Sequence, residues 1–226
     1  MKPPVHRMRK QEIIWLNNNN CKAHGVSYLQ HYNCYLAEQP DGPFHEVVGF
    51  LDIESTSLNA SFGYTLSYCF KEEDGPIYEY VVKPEHIRDG EFDLHLIKHF
   101  SKTCQRFDRW VVHWGKDGRH DIPFLRTRAI KHGVPFPEYQ EHYVTDTWDM
   151  AKRKLNLHSR RLEAICDFLE VPAKGHRLNP DIWQRAQMGD QEALAWILEH
   201  NREDVISTEA VWKRLKPYVF QSRVSI

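Results

Sequence analysis

The chain has 226 residues, 41% hydrophobic and 27% charged, the balance of a soluble globular protein with one good core and room for a small appendage. Its formal net charge is −1, so no global positive field marks a nucleic-acid partner, and such a role must rest on local basic patches. Five cysteines, an odd number, do not suggest a secreted disulfide scaffold, the basic start MKPPVHRMRK lacks an apolar run of signal-peptide length, and no stretch approaches a membrane span. A reduced, cytoplasmic protein with no membrane partner is expected.

Residues 1–45 differ from the rest. They carry four consecutive asparagines at 17–20 and a cluster of Cys and His, which predicts a small N-terminal appendage held by local constraints. From 46 to 226 one domain is expected. VVGFLDI (47–53), GYTLSYCF (63–70) and IYEYVV (77–82) read as successive strands, the last two separated by a turn at Asp74, Gly75 and Pro76. An amphipathic helix follows, with Phe92, Leu96, Phe100 and Cys104 on its apolar side. RWVVHWG (109–115) is a fourth strand ending in a glycine loop, and DIPFLRTRAIKHG is a helix stopped by Gly133. Further helices fit DTWDMAKRKLNL and SRRLEAICDFL, the latter with Ser159 as its N-cap. Residues 180–215 are helical with a break near Gly189, and Trp196 and Trp212 read as core at helical spacing. Three strands, a helix, a strand and then helices predict an α/β fold on a mixed β-sheet flanked by helices.

Four acids stand out against this background. Val47, Val48, Phe50, Leu51 and Ile53 form a run too continuous for a half-exposed strand, and its period of two puts Asp52 and Glu54 on one face near its end. D-x-E alone is common and usually solvated. Two acids at the end of a buried strand are costly without a partner, however, and a divalent cation is a natural one. Asp121 follows the glycine loop at the start of a helix, where an aspartate serves either as a cap or as a ligand. Asp204 lies mid-helix, where aspartate is a poor former and caps nothing, and His200 is one turn earlier on the same face.

In order and context these acids resemble the DEDD-type 3′–5′ exonuclease group of the ribonuclease H-like superfamily. Asp52-Ile53-Glu54 followed by Ser55-Thr56 matches its first motif, Asp121 in GRHDIPFL its second, and His200 with Asp204 its third. DTWDMAKRKLNLHSRRLEAICDFLEV is similar to the stretch between the second and third, and the likeness covers roughly residues 46–216. The resemblance implies a ribonuclease H-like fold and two Mg2+ or Mn2+ ions, hard cations suited to carboxylate oxygens. It further implies that Asp52 bridges the ions, that Glu54 and Asp204 hold the nucleophile-side metal, that Asp121 supports the other, and that His200 accepts the proton of the attacking water. In the histidine subgroup the base lies five residues before the last aspartate. Here it lies four before, the tyrosine-type position, and His113 and His120 are alternative bases. Asp146 is expected to cap a helix, with a place near the substrate as the alternative, and Asp117 to be a solvated loop acid.

Two further patterns complete the reading. Cys21-x2-His24-x6-His31-x2-Cys34 offers two thiolates and two imidazoles, a set that suits structural Zn2+. Arg126, Arg128, Lys131 and His132, then Lys152, Arg153, Lys154, Arg160 and Arg161, are basic clusters flanking the acidic motifs. Such runs are mostly solvated faces; from their position Arg126, Arg128, Lys152 and Arg160, with Ser55 and Thr56, are expected to contact substrate phosphates. The expected activity is a metal-dependent nuclease, a 3′–5′ exonuclease on single-stranded ends of DNA or RNA. A structure-specific endonuclease with the same metals and a non-catalytic nucleic-acid-binding module are the other readings.

Overall fold

A computed structural model describes residues 8, 10–39, 46–172, 175, 179–219 and 225. The chain forms two compact units, Met1–Glu46 and Val47–Ile226. In the first, helix α1 (Lys10–Asn18) and helix α2 (Tyr32–Glu38) flank a turn-rich segment bridged between Asn20 and Ser27. Among the described residues, Leu16, Cys21, Tyr28 and Tyr35 form its buried hydrophobic cluster, with the Trp15 and Tyr28 rings stacked 5.7 Å apart. Neither helix was legible in the sequence, because a core of this size leaves almost no periodic signal.

The second unit is built on a mixed sheet. Strands β1 (Val48–Ser55), β2 (Thr65–Glu72), β3 (Ile77–Val81), β4 (Arg109–Val112) and β5 (Tyr143–Asp146) lie in the order β3-β2-β1-β4-β5. The chain runs antiparallel across β3, β2 and β1, then parallel across β1, β4 and β5. The continuous apolar run of β1 is explained by its central place, covered on both faces. A side chain at Gly49 would collide with the Phe70 and Phe107 rings, so glycine there lets the aromatic layer close over the strand. The fifth strand was not predicted. Its four residues give too short an alternation to read.

Helices cover both faces. Leu51, Ile53, Tyr68, Phe70 and Trp110 pack with α4 (Leu94–Thr103) and α5 (Asp121–His132) in one cluster. Val48, Phe50 and Val111 pack on the other side with α6 (Thr147–Lys154), α7 (Leu162–Leu169) and α9 (Gln191–Leu215). Short α3 (Pro84–Arg88) follows β3, and α8 (Pro180–Gln187) precedes α9. Gly133 stops α5 as expected, at φ +63° with its N–H on the Ala129 and Ile130 carbonyls. Ser159 does not cap α7, which starts at Leu162; its hydroxyl instead accepts the Arg161 N–H two residues on. Trp212 is core, stacked edge-on to Phe50, whereas Trp196 is 40% exposed on the opposite side of α9. Among the described residues no helix is long and apolar enough to cross a membrane.

Candidate active site

Asp52 and Glu54 continue the β1 face that carries Val48 and Phe50, the face against α9. Helix α9 begins at the Asp190 cap after Gly189 and runs without a break through Asp204, so His200 and Asp204 are set on one stripe towards the end of β1. His200 Nε2 lies 3.6 Å from Glu54 Oε1 and 3.7 Å from Asp204 Oδ2, with His200 7% and Asp204 5% exposed. The four-residue spacing that departs from the histidine subgroup therefore brings the imidazole to both acids. Glu54, His200 and Asp204 have ligand atoms within 4.8 Å of one another.

Asp121 is the first residue of α5. It caps nothing: the N-cap position is His120, and Asp121 Oδ2 is buried without a hydrogen-bond partner. Burial, followed by the charges of Asp52, Asp146, Glu54 and Asp204, pushes its carboxyl well above the usual carboxylate range. Gly115 makes room for this carboxylate, since any Cβ there would overlap Oδ2. An orphaned buried oxygen amid four further acids fits a hard divalent cation, whose charge would relieve the repulsion and satisfy the atom.

The loop between β4 and α5 is held by residues that looked secondary in the sequence. Asp146 does cap α6, accepting the Trp148 N–H, but it also accepts the Trp114 N–H at 3.0 Å and pairs with Arg119 at 2.7 Å. Asp149 binds Lys116 and Arg119, which outweigh its partial burial and hold its carboxyl below the usual range. These two acids clamp the loop that delivers Asp121. Asn201 was also missed: fully buried, it donates to Asp52 Oδ2 at 2.6 Å. The signal that marked Asp204, a poor helix former within a long helix, was present at Asn201 too.

Beside the acids lies a cavity of about 440 Å³, bordered by Asp52, Asp204, Trp114, Trp148, Arg160 and Arg161. Trp114 is 46% exposed and left-handed at φ +62°, a conformation that costs a residue with a side chain on the order of 1 kcal/mol or more. Its N–H bond to Asp146 holds it there. Arg119, Lys152 and Arg160 gather over the Trp148 ring at 4.3, 5.3 and 5.8 Å from its centroid.

The expected substrate contacts divide accordingly. Arg160 borders the cavity and Lys152 is exposed beside it. Arg126 is paired at 2.7 Å with Asp117, which stays an exposed loop acid. Arg128 is not brought to the cavity: 2% exposed, it grips Asp93 through two nitrogens. Ser55 and Thr56 spend their oxygens on the adjoining loop, Ser55 donating to the Ser57 carbonyl and Thr56 accepting the Tyr64 N–H. As alternative bases, His113 is engaged at both nitrogens, by Thr147 and the Arg160 carbonyl, and His120 Nε2 meets Ser55 Oγ at 3.2 Å. Cys21, His24, His31 and Cys34 belong to the first unit.

A family model described as the RNase_H superfamily matches residues 49–216, from β1 to the end of α9. DNA polymerase 2 of Aeropyrum pernix is 27% identical over 143 residues, 56% of this chain and 18% of that relative, so the chain spans less than a fifth of the polymerase. The solved family B DNA polymerase of the hyperthermophilic archaeon Pyrobaculum calidifontis superposes with a TM-score of 0.61 at 19% identity, over 78% of this chain and 25% of that one. Exonuclease I superposes with a TM-score of 0.50 at 13% identity, over 77% of this chain and 42% of that one. These two likenesses are of fold.

Proposed function

Because the chain belongs to the RNase_H superfamily, we propose that it is a divalent-metal-dependent nuclease of DEDD type, a 3′–5′ exonuclease acting on single-stranded ends of DNA or RNA. The observation that carries this reading is the convergence of Asp52, Glu54, Asp121 and Asp204 from three elements, with Asp121 Oδ2 buried and unsatisfied. Likeness to exonuclease I and to polymerases supports a nuclease role. The four acids would hold magnesium or manganese. Such ions supply an ionised water nucleophile and charge relief on the leaving oxygen.

The remaining steps fall to the chain's own groups. His200 Nε2, facing Glu54 and Asp204, takes the proton of the attacking water. Asn201 fixes the rotamer of Asp52 through its amide. The cavity takes the terminal nucleotide, its base stacking on Trp148 or Trp114, and Arg160, Arg161 and Lys152 meet the phosphates. Exchanging the Asp117 pair of Arg126 for a phosphate gives up at most about 1 kcal/mol, the worth of an exposed ion pair. Stacking on an indole face requires an unpaired, splayed base, which favours single-stranded ends over duplex.

The test is degradation of a 5′-labelled single strand of DNA or RNA with magnesium or manganese, comparing the wild type with Asp204→Ala. A ladder that shortens from the 3′ end, absent with EDTA and in the variant, is expected. Internal cuts would replace the exonuclease with an endonuclease. Binding without any hydrolysis would leave a nucleic-acid-binding module.

A further inference from the structure

We propose that Cys21, His24, His31 and Cys34 form a closed tetrahedral zinc site that holds the first unit folded. The ligands come from two local devices. Cys21 and His24 sit in a tight turn, with the Gly25 N–H on the Cys21 carbonyl, the Cys21 N–H on the Val26 carbonyl, and Gly25 left-handed at φ +63°. His31 is the N-cap residue of α2 and Cys34 lies in its first turn, with the Cys34 N–H on the His31 carbonyl at 2.9 Å. A turn and a helix start thus each present one sulfur and one nitrogen three residues apart.

The geometry is that of a coordination shell. Cys21 Sγ lies 3.7 Å from Nδ1 of both His24 and His31, and Cys34 Sγ lies 3.4 and 3.8 Å from the same two atoms. Zinc bonded tetrahedrally to sulfur and imidazole nitrogen separates those atoms by about 3.6 Å, from bond lengths of roughly 2.3 and 2.05 Å. All four ligand atoms lie within 4.8 Å of one another. Hydrogen bonding does not account for this arrangement. Each Nδ1 has a single in-plane lone pair or proton and can serve one sulfur, yet each faces two. One cation at the centre uses all four atoms at once. Both cysteines are free thiols, so no disulfide competes for them.

The unit has reason to need the ion. Among the described residues its buried hydrophobic ones are Leu16, Cys21, Tyr28 and Tyr35, and domains of about 40 residues seldom hold together without a metal, disulfide or partner. Four protein ligands leave no open position, which makes the site structural, and two thiolates favour zinc over the hard cations of the carboxylate site. Nothing in this assignment depends on the nuclease reading.

The experiment is elemental analysis of the full chain, purified under reducing conditions and dialysed against excess magnesium, beside Cys21→Ser and His24→Cys. One zinc per chain is expected in the wild type, and it should be lost in Cys21→Ser. It should be kept in His24→Cys, which preserves four soft ligands. Replacement by cobalt should give the intense visible bands of a tetrahedral thiolate site in the wild type. A zinc-free wild type after growth with added zinc, or zinc held equally by Cys21→Ser, would overturn the proposal. Because the readout is metal content and cobalt absorption, a failed hydrolysis assay leaves it standing, and its own failure leaves the nuclease reading standing.

Discussion

Asp93 and Asp121 are both buried aspartates of the larger unit, and their surroundings are opposite. Asp93, 0% exposed, receives the Thr65 N–H at 2.9 Å, two nitrogens of Arg128 at 2.6 and 2.7 Å, and His132 at 2.8 Å. Burial alone would push its carboxyl up; these partners outweigh it and hold the group below its ordinary value of 3.8. Asp121, 5% exposed, has one oxygen with no partner and other acids around it, so its carboxyl is pushed up. The first carboxylate is neutralised by the fold and holds α5 to the start of β2. The second is kept in a state that only a proton or a cation relieves. Burial of an acid does not by itself mark a functional site, and what compensates it is the discriminating observation.

The largest effect that would break this contrast is on stability. Arg128→Leu takes the guanidinium from the fully buried Asp93, leaving it only the Thr65 N–H and His132, and should cost about 3–5 kcal/mol in urea unfolding at neutral pH. Asp93 has a depressed folded pKa, so the stability it contributes is present above its unfolded value of 3.8 and is lost as pH falls through the lower folded one. Loss of Arg128 takes away the largest cause of that depression, so the deficit should shrink as pH falls below about 4. A deficit independent of pH would mean that Arg128 acts through packing alone.

Asp121→Asn should behave the other way. Hydrolysis should fall at least a hundredfold, about 2.7 kcal/mol of barrier, while the EDTA-treated protein becomes more stable by roughly 1 kcal/mol, or about 2–4 °C in melting temperature. Stability and activity falling together would place Asp121 with Asp93 as a structural acid. The smallest expected effect is at the cavity. Trp148→Ala should weaken single-strand binding by about 1–3 kcal/mol, roughly 5- to 150-fold, with little change in the melt. Unchanged binding in a fluorescence-anisotropy titration would move the stacking role to Trp114 or remove it.

Much of this was legible in the sequence because its causes are local. The apolar run of β1 and a period of two determined that Asp52 and Glu54 share a face, and a spacing of four put His200 beside Asp204. The Cys/His quartet spans only residues 21–34, so two short spacings determined nearly all of its geometry. The wider order of motifs gave the RNase_H assignment, which the family match bears out. Tertiary structure alone decided which basic residues face the cavity: Arg128 and Arg160 both lie in cationic stretches, yet one is consumed by Asp93 and the other borders the pocket. It also decided that Asp146 and Asp149 brace the loop carrying Asp121, that Asn201 reaches Asp52, and that Trp114 and Trp148 flank the acids. Spacing along one helix or strand is set by backbone geometry, which every sequence carries. The partner of a charge is set by which elements pack together, and that depends on the whole chain at once.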